Sequence, residues 1–105
     1  MTDSGTPAVL NRDAFLPHLG SSFRVHAGTA TVELTLSDVS ELRTSPRSEA
    51  FSIEFQGPSS AALPQAEYRF DHPVVGEFPL FIVPVGRDGD VLEYEAVFNR
   101  VLPRS

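Results

Sequence analysis

Alternation of apolar and polar residues runs through much of the chain after residue 21 and predicts β-strands. The clearest example is "AFSIEFQG", in which Phe51, Ile53 and Phe55 alternate with polar residues. Because successive side chains of a strand point to opposite faces, this pattern gives the strand one apolar face for a core. Four further segments show the same alternation, and one more is strand-like but apolar throughout. The four are 22–27, 31–36, 67–71 and 92–98, and the additional one is 78–85.

A short helix is predicted before the first strand, over "DAFLPHLG". Asn11 or Asp13 offers a side chain that caps its start, and Gly20 favours its end because glycine readily adopts positive φ. We expect one face of this helix to be apolar. The members of that face are Phe15, Leu16 and Leu19.

Turn-forming residues separate the predicted strands. "HAGT" and "GRDGD" are typical of hairpins, whereas "RTSPRS" and "GPSSAALPQ" predict longer loops. We therefore expect an all-β domain: a small six-stranded antiparallel barrel or sandwich with one short N-terminal helix, whose last three strands form a meander. Residues 1–8 are expected to be a flexible tail and residues 9–105 to form this single domain.

The segment "FPLFIVPV" differs from the other strands because it is apolar on both faces. One face continues the core pattern, and the other carries Pro79, Phe81 and Val83. A strand of this kind is usually covered on both faces, and Pro79, which has no N–H, belongs at a sheet edge or a bulge. Two kinds of cover stay open: the N-terminal helix, or another protein chain. If the cover is another chain, Pro79, Phe81 and Val83 form a protein interface.

The charge balance argues against nucleic acid and anionic membranes as partners. The formal net charge is −6, and all eight basic residues are arginines scattered along the chain, whereas nucleic-acid binding favours a basic stripe. No signal peptide is recognisable at the N-terminus, and the longest apolar run, 78–85, is too short to span a bilayer. We expect the protein in the cytoplasm, or in a particle assembled there.

The sequence contains no pattern typical of a catalytic, cofactor or metal site. Cysteine is absent, which excludes thiolate ligands and a cysteine nucleophile, and phosphate-loop, dinucleotide and G-x-S-x-G motifs are absent as well. The spacing of the histidines does not indicate zinc ligands, and we expect them on the surface. They are His18, His26 and His72. We accordingly predict no catalytic residue, no cofactor and no metal, and expect the protein not to be an enzyme.

Two groups of acidic residues are better explained by structure than by chemistry. "RDGD" has two aspartates around a glycine, as calcium loops do, but it lacks the further oxygen ligands and is typical of a hairpin turn. Glu93 and Glu95 share the outward face of the last strand. Paired carboxylates can hydrolyse glycosides in a deep cleft, but a small filled barrel offers no such cleft, so we expect a solvated face.

These features favour a non-catalytic interaction or assembly module that binds a protein partner or a second copy of itself at the apolar strand. The alternative is a small-ligand-binding barrel, whose mouth inward aromatic residues would line. They are Phe51, Phe55, Tyr68, Tyr94 and Phe98. A third hypothesis is an enzyme that uses Glu93 together with Glu95 or a histidine.

Three segments resemble a known family: "FLPHLGSSFRV", "LPQAEYRFDHPVVGEFPLFIVPVG" and "YEAVFN". The family comprises small bacterial domains described only as being of unknown function. The resemblance extends over most of the chain from about Phe15, and it specifies the fold but carries no catalytic residues. It implies an accessory or structural component of a phage-tail-like assembly, with which such domains are associated.

Overall fold

β-strands make up most of the structure, a computed structural model that describes residues 11–101. The strands are β1 (Ser22–Ala27), β2 (Ala30–Val39), β3 (Arg43–Ser45), β4 (Ser48–Pro58), β5 (Ala66–His72), β6 (Gly76–Asp88) and β7 (Val91–Val101). All except β3 overlap one of the six strands predicted from the sequence. The predicted tail, residues 1–8, lies outside the described residues.

Six of the strands close into an antiparallel barrel, which confirms the predicted fold class and selects the barrel over the sandwich. Around the ring, β1 pairs with β2, β2 with β4, β4 with β7, β7 with β6, β6 with β5, and β5 with β1. The last three strands form the expected meander. The ring needs no parallel pair, so hairpins and two longer connections suffice to build it.

The seventh strand, β3, lies outside the ring and pairs with the first residues of β4. The loop predicted at "RTSPRS" is therefore wrong, because this segment is a hairpin. Ser45 and Ser48 flank its turn with their hydroxyl oxygens 2.8 Å apart. Every residue of β3 is exposed and none is apolar, so alternation gives no signal for the strand.

The core fills the barrel interior, because alternation sends every second side chain of each strand inward. Phe51, Ile53 and Phe55 of β4 are all buried, as predicted. The ring of Phe55 meets those of Phe23 and Phe70 at centroid distances of 5.5 and 5.3 Å. Burial of each such side chain contributes roughly 1.5–3 kcal/mol, so this interior is the main source of stability.

The predicted N-terminal helix is present in a shortened form: α1 (Arg12–Phe15) followed by a 3-10 turn (Leu16–His18). Its cap is Asn11 and not Asp13, since the Asn11 side chain accepts a hydrogen bond from the Ala14 N–H at 2.9 Å. Neither this helix nor any other in the described part of the chain is long and apolar enough to cross a membrane.

The predicted apolar face of this helix forms only in part. Phe15 is fully buried and Leu16 is partly buried, but Leu19 is 47% exposed. Leu19 has an extended ψ of 130° directly after the 3-10 turn that contains Pro17. Because the helix has already ended there, Leu19 does not share a face with the other two residues.

The helical segment lies across the mouth of the barrel rather than against the outside of its wall. The ring of Phe15 contacts rings from three strands, with centroid distances of 6.2 Å to Phe23, 5.9 Å to Phe78 and 5.5 Å to Phe98. At one side of the mouth, Arg12 donates a hydrogen bond through Nε to the carbonyl of Ser40, the residue directly after β2. Because it closes the mouth, the helix is not the cover that the outward row of β6 was predicted to have.

Candidate interaction surface

The outer face of β6 exposes a row of apolar side chains. Phe81 is 49% exposed and Val85 50% exposed, Pro79 is exposed as well, and Val83 is half-buried. The three residues predicted to form a protein interface, Pro79, Phe81 and Val83, therefore lie together on the outside of the barrel.

Next to this row, the pairing between β6 and β7 stops half-way. It joins Val83–Asp88 of β6 to Val91–Glu95 of β7. Within residues 11–101, Gly76–Ile82 pairs with β5 alone and Ala96–Val101 pairs with β4 alone. The barrel stays closed through the paired half, but the other half leaves two free strand edges. A free edge presents backbone N–H and C=O groups that another strand can bind.

One hydrogen bond fixes the direction of the backbone groups in β4. The Ser52 carbonyl accepts a bond from the Ser40 N–H at 2.8 Å, so Ser52 faces towards β2. Successive residues of a strand direct their backbone groups to alternate sides. Phe51 therefore faces β7, where it pairs with Phe98, and Phe98 in turn faces β4.

The same alternation turns the neighbours of Phe98 away from β4. The backbone groups of Val97, Asn99 and Val101 therefore point to the side where pairing with β6 has stopped. Their side chains lie on the outer face, where Val97 is 56% and Val101 82% exposed. The alternation of residues does not predict this edge. The available signal was Val97, an apolar residue at an outward position of the last strand.

A proline interrupts the free edge of β6. Glu95 lies two residues before Val97, so the backbone groups of Glu95 point towards β6. Glu95 pairs with Val83, and the backbone groups of Val83 therefore point towards β7. Steps of two residues place Pro79 on the same side as Val83, where the missing N–H leaves the edge without a donor. This position agrees with the sequence prediction that Pro79 lies at an edge or a bulge. The edge of β7 from residue 96 to 101 contains no proline.

Two histidines, His18 and His72, meet at the barrel mouth with ring centroids 4.6 Å apart. The expected surface position is wrong for His72, which is 6% exposed. Burial lowers the pKa of His72 from its ordinary value of 6.5, and His18 lowers this pKa further, while Asp71 acts in the opposite direction. Within residues 11–101, no three histidine, aspartate or glutamate side chains converge to hold a metal ion.

The hydrogen bonds of His72 fix the position of its proton. Its Nδ1 accepts bonds from the N–H groups of Val74 and Val75 at 3.0 and 3.2 Å, so the neutral ring carries its proton on Nε2. That Nε2 lies 3.1 Å from the Ser21 hydroxyl, which donates to the His18 carbonyl at 2.8 Å. Because Nε2 already carries a proton, His72 does not activate Ser21 as a nucleophile here. The pair instead ties the turn after β5 to the segment before β1.

The aromatic residues predicted to line a ligand-binding mouth lie in three different places. Phe55 and Tyr94 are fully buried in the core. Tyr68 donates its hydroxyl proton to a carbonyl of the loop before β5 at 2.6 Å. Phe51 and Phe98 stack on each other at the mouth, with ring centroids 4.6 Å apart and planes inclined by 2°. Two of the five therefore remain candidates for contact with a ligand.

A cavity of about 360 Å³ lies beside this stacked pair. Its charged lining is balanced, with Arg12 and Arg100 against Asp13 and Glu49, and Arg100 and Glu49 form an ion pair at 3.1 Å. The volume is near the lower end of the range of about 300–1,000 Å³ that is typical of small-molecule sites. The cavity therefore has room for a compact ligand.

A row of carboxylates crosses the outer wall of the barrel. Asp38 pairs with Glu54, and Glu54 pairs with Glu95, across three neighbouring strands. Partial burial raises the pKa of Glu54 above its ordinary value, and the charges of Asp38, Glu93 and Glu95 raise it further. Like charges at directly opposite positions destabilise a sheet. Glu93 and Glu95, the pair considered for catalysis, thus belong to an acidic surface on which like charges repel each other.

Comparison with curated proteins and with solved structures finds no match for the chain. Residues 10–98 match a family described as a domain of unknown function, DUF6916. The match includes the helix, β1 to β6 and most of β7, and it agrees with the predicted resemblance to a family of unknown function. Because it covers most of the 105 residues, the chain belongs to the family of DUF6916 domains.

Proposed function

We propose that this domain is a non-catalytic interaction or assembly module, which binds another protein chain at the outer faces of β6 and β7. The observation that carries the proposal is the exposure of Phe81, 49% on the outside of a closed barrel whose helix lies elsewhere. Large apolar side chains that cluster on a surface are typical of binding sites. Covering the exposed parts of Phe81 and Val97 would contribute roughly 1 kcal/mol each.

The proposal extends to the setting of the domain. We place it in the cytoplasm, or in a particle assembled there, as an accessory or structural component of a phage-tail-like assembly. The family resemblance supports this setting, and a small module with an apolar outer face is suited to it. The net charge of −6 favours a protein partner over nucleic acid or an anionic membrane.

The test compares the domain with a Phe81→Glu variant as bait for binding proteins and for other copies of the chain. Val74→Glu is the matched control, because Val74 is 73% exposed in the turn between β5 and β6 and outside both β6 and β7. We expect a binding partner, measured by co-purification and by mass in solution, that Phe81→Glu loses and Val74→Glu retains. A domain that stays monomeric and captures no partner, or a partner that both variants retain, would contradict the proposal.

The mouth cavity favours a second candidate, a small-ligand-binding barrel. It combines an aromatic stack, Phe51 on Phe98, with the guanidinium groups of Arg12 and Arg100. Such a site fits a compact ligand with an apolar part and hydrogen-bonding groups. Screening of a small-molecule library by NMR tests it. Shifts centred on residues 98–100 that a Phe98→Ala variant abolishes would support the candidate, and a library without any such shift would dispose of it.

A further inference from the structure

The free edge of β7 can pair with the same edge of a second copy. We propose that two copies of this domain pair antiparallel through their β7 edges, with the two-fold axis at Asn99. The inference rests on the proposed function, since it names the second chain as another copy of this one.

The backbone of the edge suits such pairing. Val97, Asn99 and Val101 direct their N–H and C=O groups away from β4, and within the described residues no other strand binds them. In an antiparallel pair centred on Asn99, Asn99 faces its own copy and Val97 faces Val101 of the second copy. All three are then hydrogen-bonded positions, because they share the same parity along the strand. The two edges supply each other with matching donors and acceptors.

The side chains of the edge suit the same register. Val97 and Val101 are 56% and 82% exposed. Across the two-fold axis, Val97 of each copy would pack against Val101 of the other copy. Cross-strand pairs of β-branched residues stabilise antiparallel sheets. The outer face between them carries Asn99 and no charge, so no like charges would meet in the three central pairs.

The opposite edge does not offer the same opportunity. Pro79 removes a donor from the middle of the β6 edge, whereas no proline interrupts β7 from residue 96 to 101. Phe81 contributes in a different way. Because Val83 pairs with Glu95, continuing the same register sets Phe81 opposite Val97. A strand bound to the β7 edge therefore lies beside Phe81 and covers part of its exposed ring.

The salt dependence of association distinguishes a second copy of the chain from a basic partner. Each copy carries a net charge of −6, so two copies repel each other at long range, and added salt screens that repulsion. Association of two copies should therefore become tighter as the salt concentration rises. A basic partner strand would be attracted by the same charge and would bind less tightly in salt.

The test measures self-association of the full chain by analytical ultracentrifugation from micromolar to millimolar concentration. Asn99→Pro removes the N–H at the centre of the edge without removing a bond to β4, and Asn99→Ala is the matched control that keeps this N–H. We expect a dimer whose dissociation constant rises about tenfold or more in Asn99→Pro and changes less than about threefold in Asn99→Ala. We also expect tighter association in salt.

An introduced cysteine gives a second readout that does not require a proline in the strand. The chain has no cysteine, so an Asn99→Cys variant reports on this position alone. The proposed register sets the two Cα atoms about 5.5 Å apart, so a short thiol-reactive cross-linker should link the two copies, whereas Val74→Cys should stay monomeric. A wild-type chain that stays monomeric at every concentration, or a dimer that Asn99→Pro does not weaken and Asn99→Cys does not link, overturns this inference. Capture of a different protein through Phe81 would then leave the proposed function standing.

Discussion

Replacing Phe15 by alanine should remove much of the stability of the domain, although Phe15 belongs to the helix and not to a strand of the barrel. Its side chain is fully buried and packs on Phe23, Phe78 and Phe98. Truncation of a buried phenylalanine to alanine costs about 3–5 kcal/mol, because it removes apolar contacts and leaves a cavity. A chain of this length has a free energy of unfolding of about 5–15 kcal/mol, so the loss is a large share of the total.

Urea denaturation followed by circular dichroism measures this effect. With a slope of about 1.5 kcal/mol per molar urea, the midpoint of unfolding should fall by roughly 2–3 M. The loss should also release the helical segment, since α1 has four residues and so short a helix is unstable without tertiary contacts. NMR should then show the Ala14 amide shifting towards its random-coil position.

Leu19→Ala is the matched control for this prediction. Leu19 comes from the same predicted apolar face but is 47% exposed, so its truncation should cost less than about 1 kcal/mol. If Phe15→Ala costs no more than Leu19→Ala, the conclusion that Phe15 anchors the helical segment in the core is refuted.

Three further predictions concern stability. The pKa of His72 is lower in the folded protein than its ordinary value of 6.5, so unfolding takes up a proton below that pH. The contribution of His72 is therefore present above about pH 6.5 and lost as the pH falls, and a His72→Gln variant should show a smaller drop in melting temperature between pH 7 and 5. Gly57→Ala would place a Cβ in steric overlap with Leu34 Cδ2 in the core, so Leu34 must shift, and the change should cost about 1–3 kcal/mol in urea denaturation; an unchanged midpoint would contradict this. Glu54→Gln removes the central charge of the acidic row and should stabilise the domain at pH 7 by a few tenths of a kcal/mol, an effect that should shrink in high salt.

The alternation along the chain was sufficient to predict an all-β fold, as a barrel or a sandwich, because a strand with one buried face imposes alternation on the sequence. Phe51, Ile53 and Phe55 are buried as the pattern requires. The pattern did not predict β3, whose three residues are exposed and polar. Burial leaves a periodic trace in the sequence, and a solvated strand leaves none.

The candidate surface was predictable in part. Phe81 and Pro79 were identified from the excess of apolar residues in one strand, and both lie on the outer face. The free edge of β7 was not predictable from the sequence. The point at which pairing stops depends on how β6 and β7 diverge around the ring. The same holds for His18 and His72, which are distant in sequence and meet only because the helical segment crosses the barrel mouth.

The lengths of the ladders around the ring also determine where the barrel opens most easily. β4 and β7 are joined by eleven residue pairs, whereas β1 and β5 are joined by three, Arg24–His26 with Arg69–Asp71. That short ladder is the seam between the N-terminal hairpin and the C-terminal meander. Transient opening should begin there, since fewer hydrogen bonds must break at once. The amide protons of this seam should consequently exchange with solvent deuterium well before those of the β4–β7 ladder, which makes the seam the hinge of the native-state fluctuations.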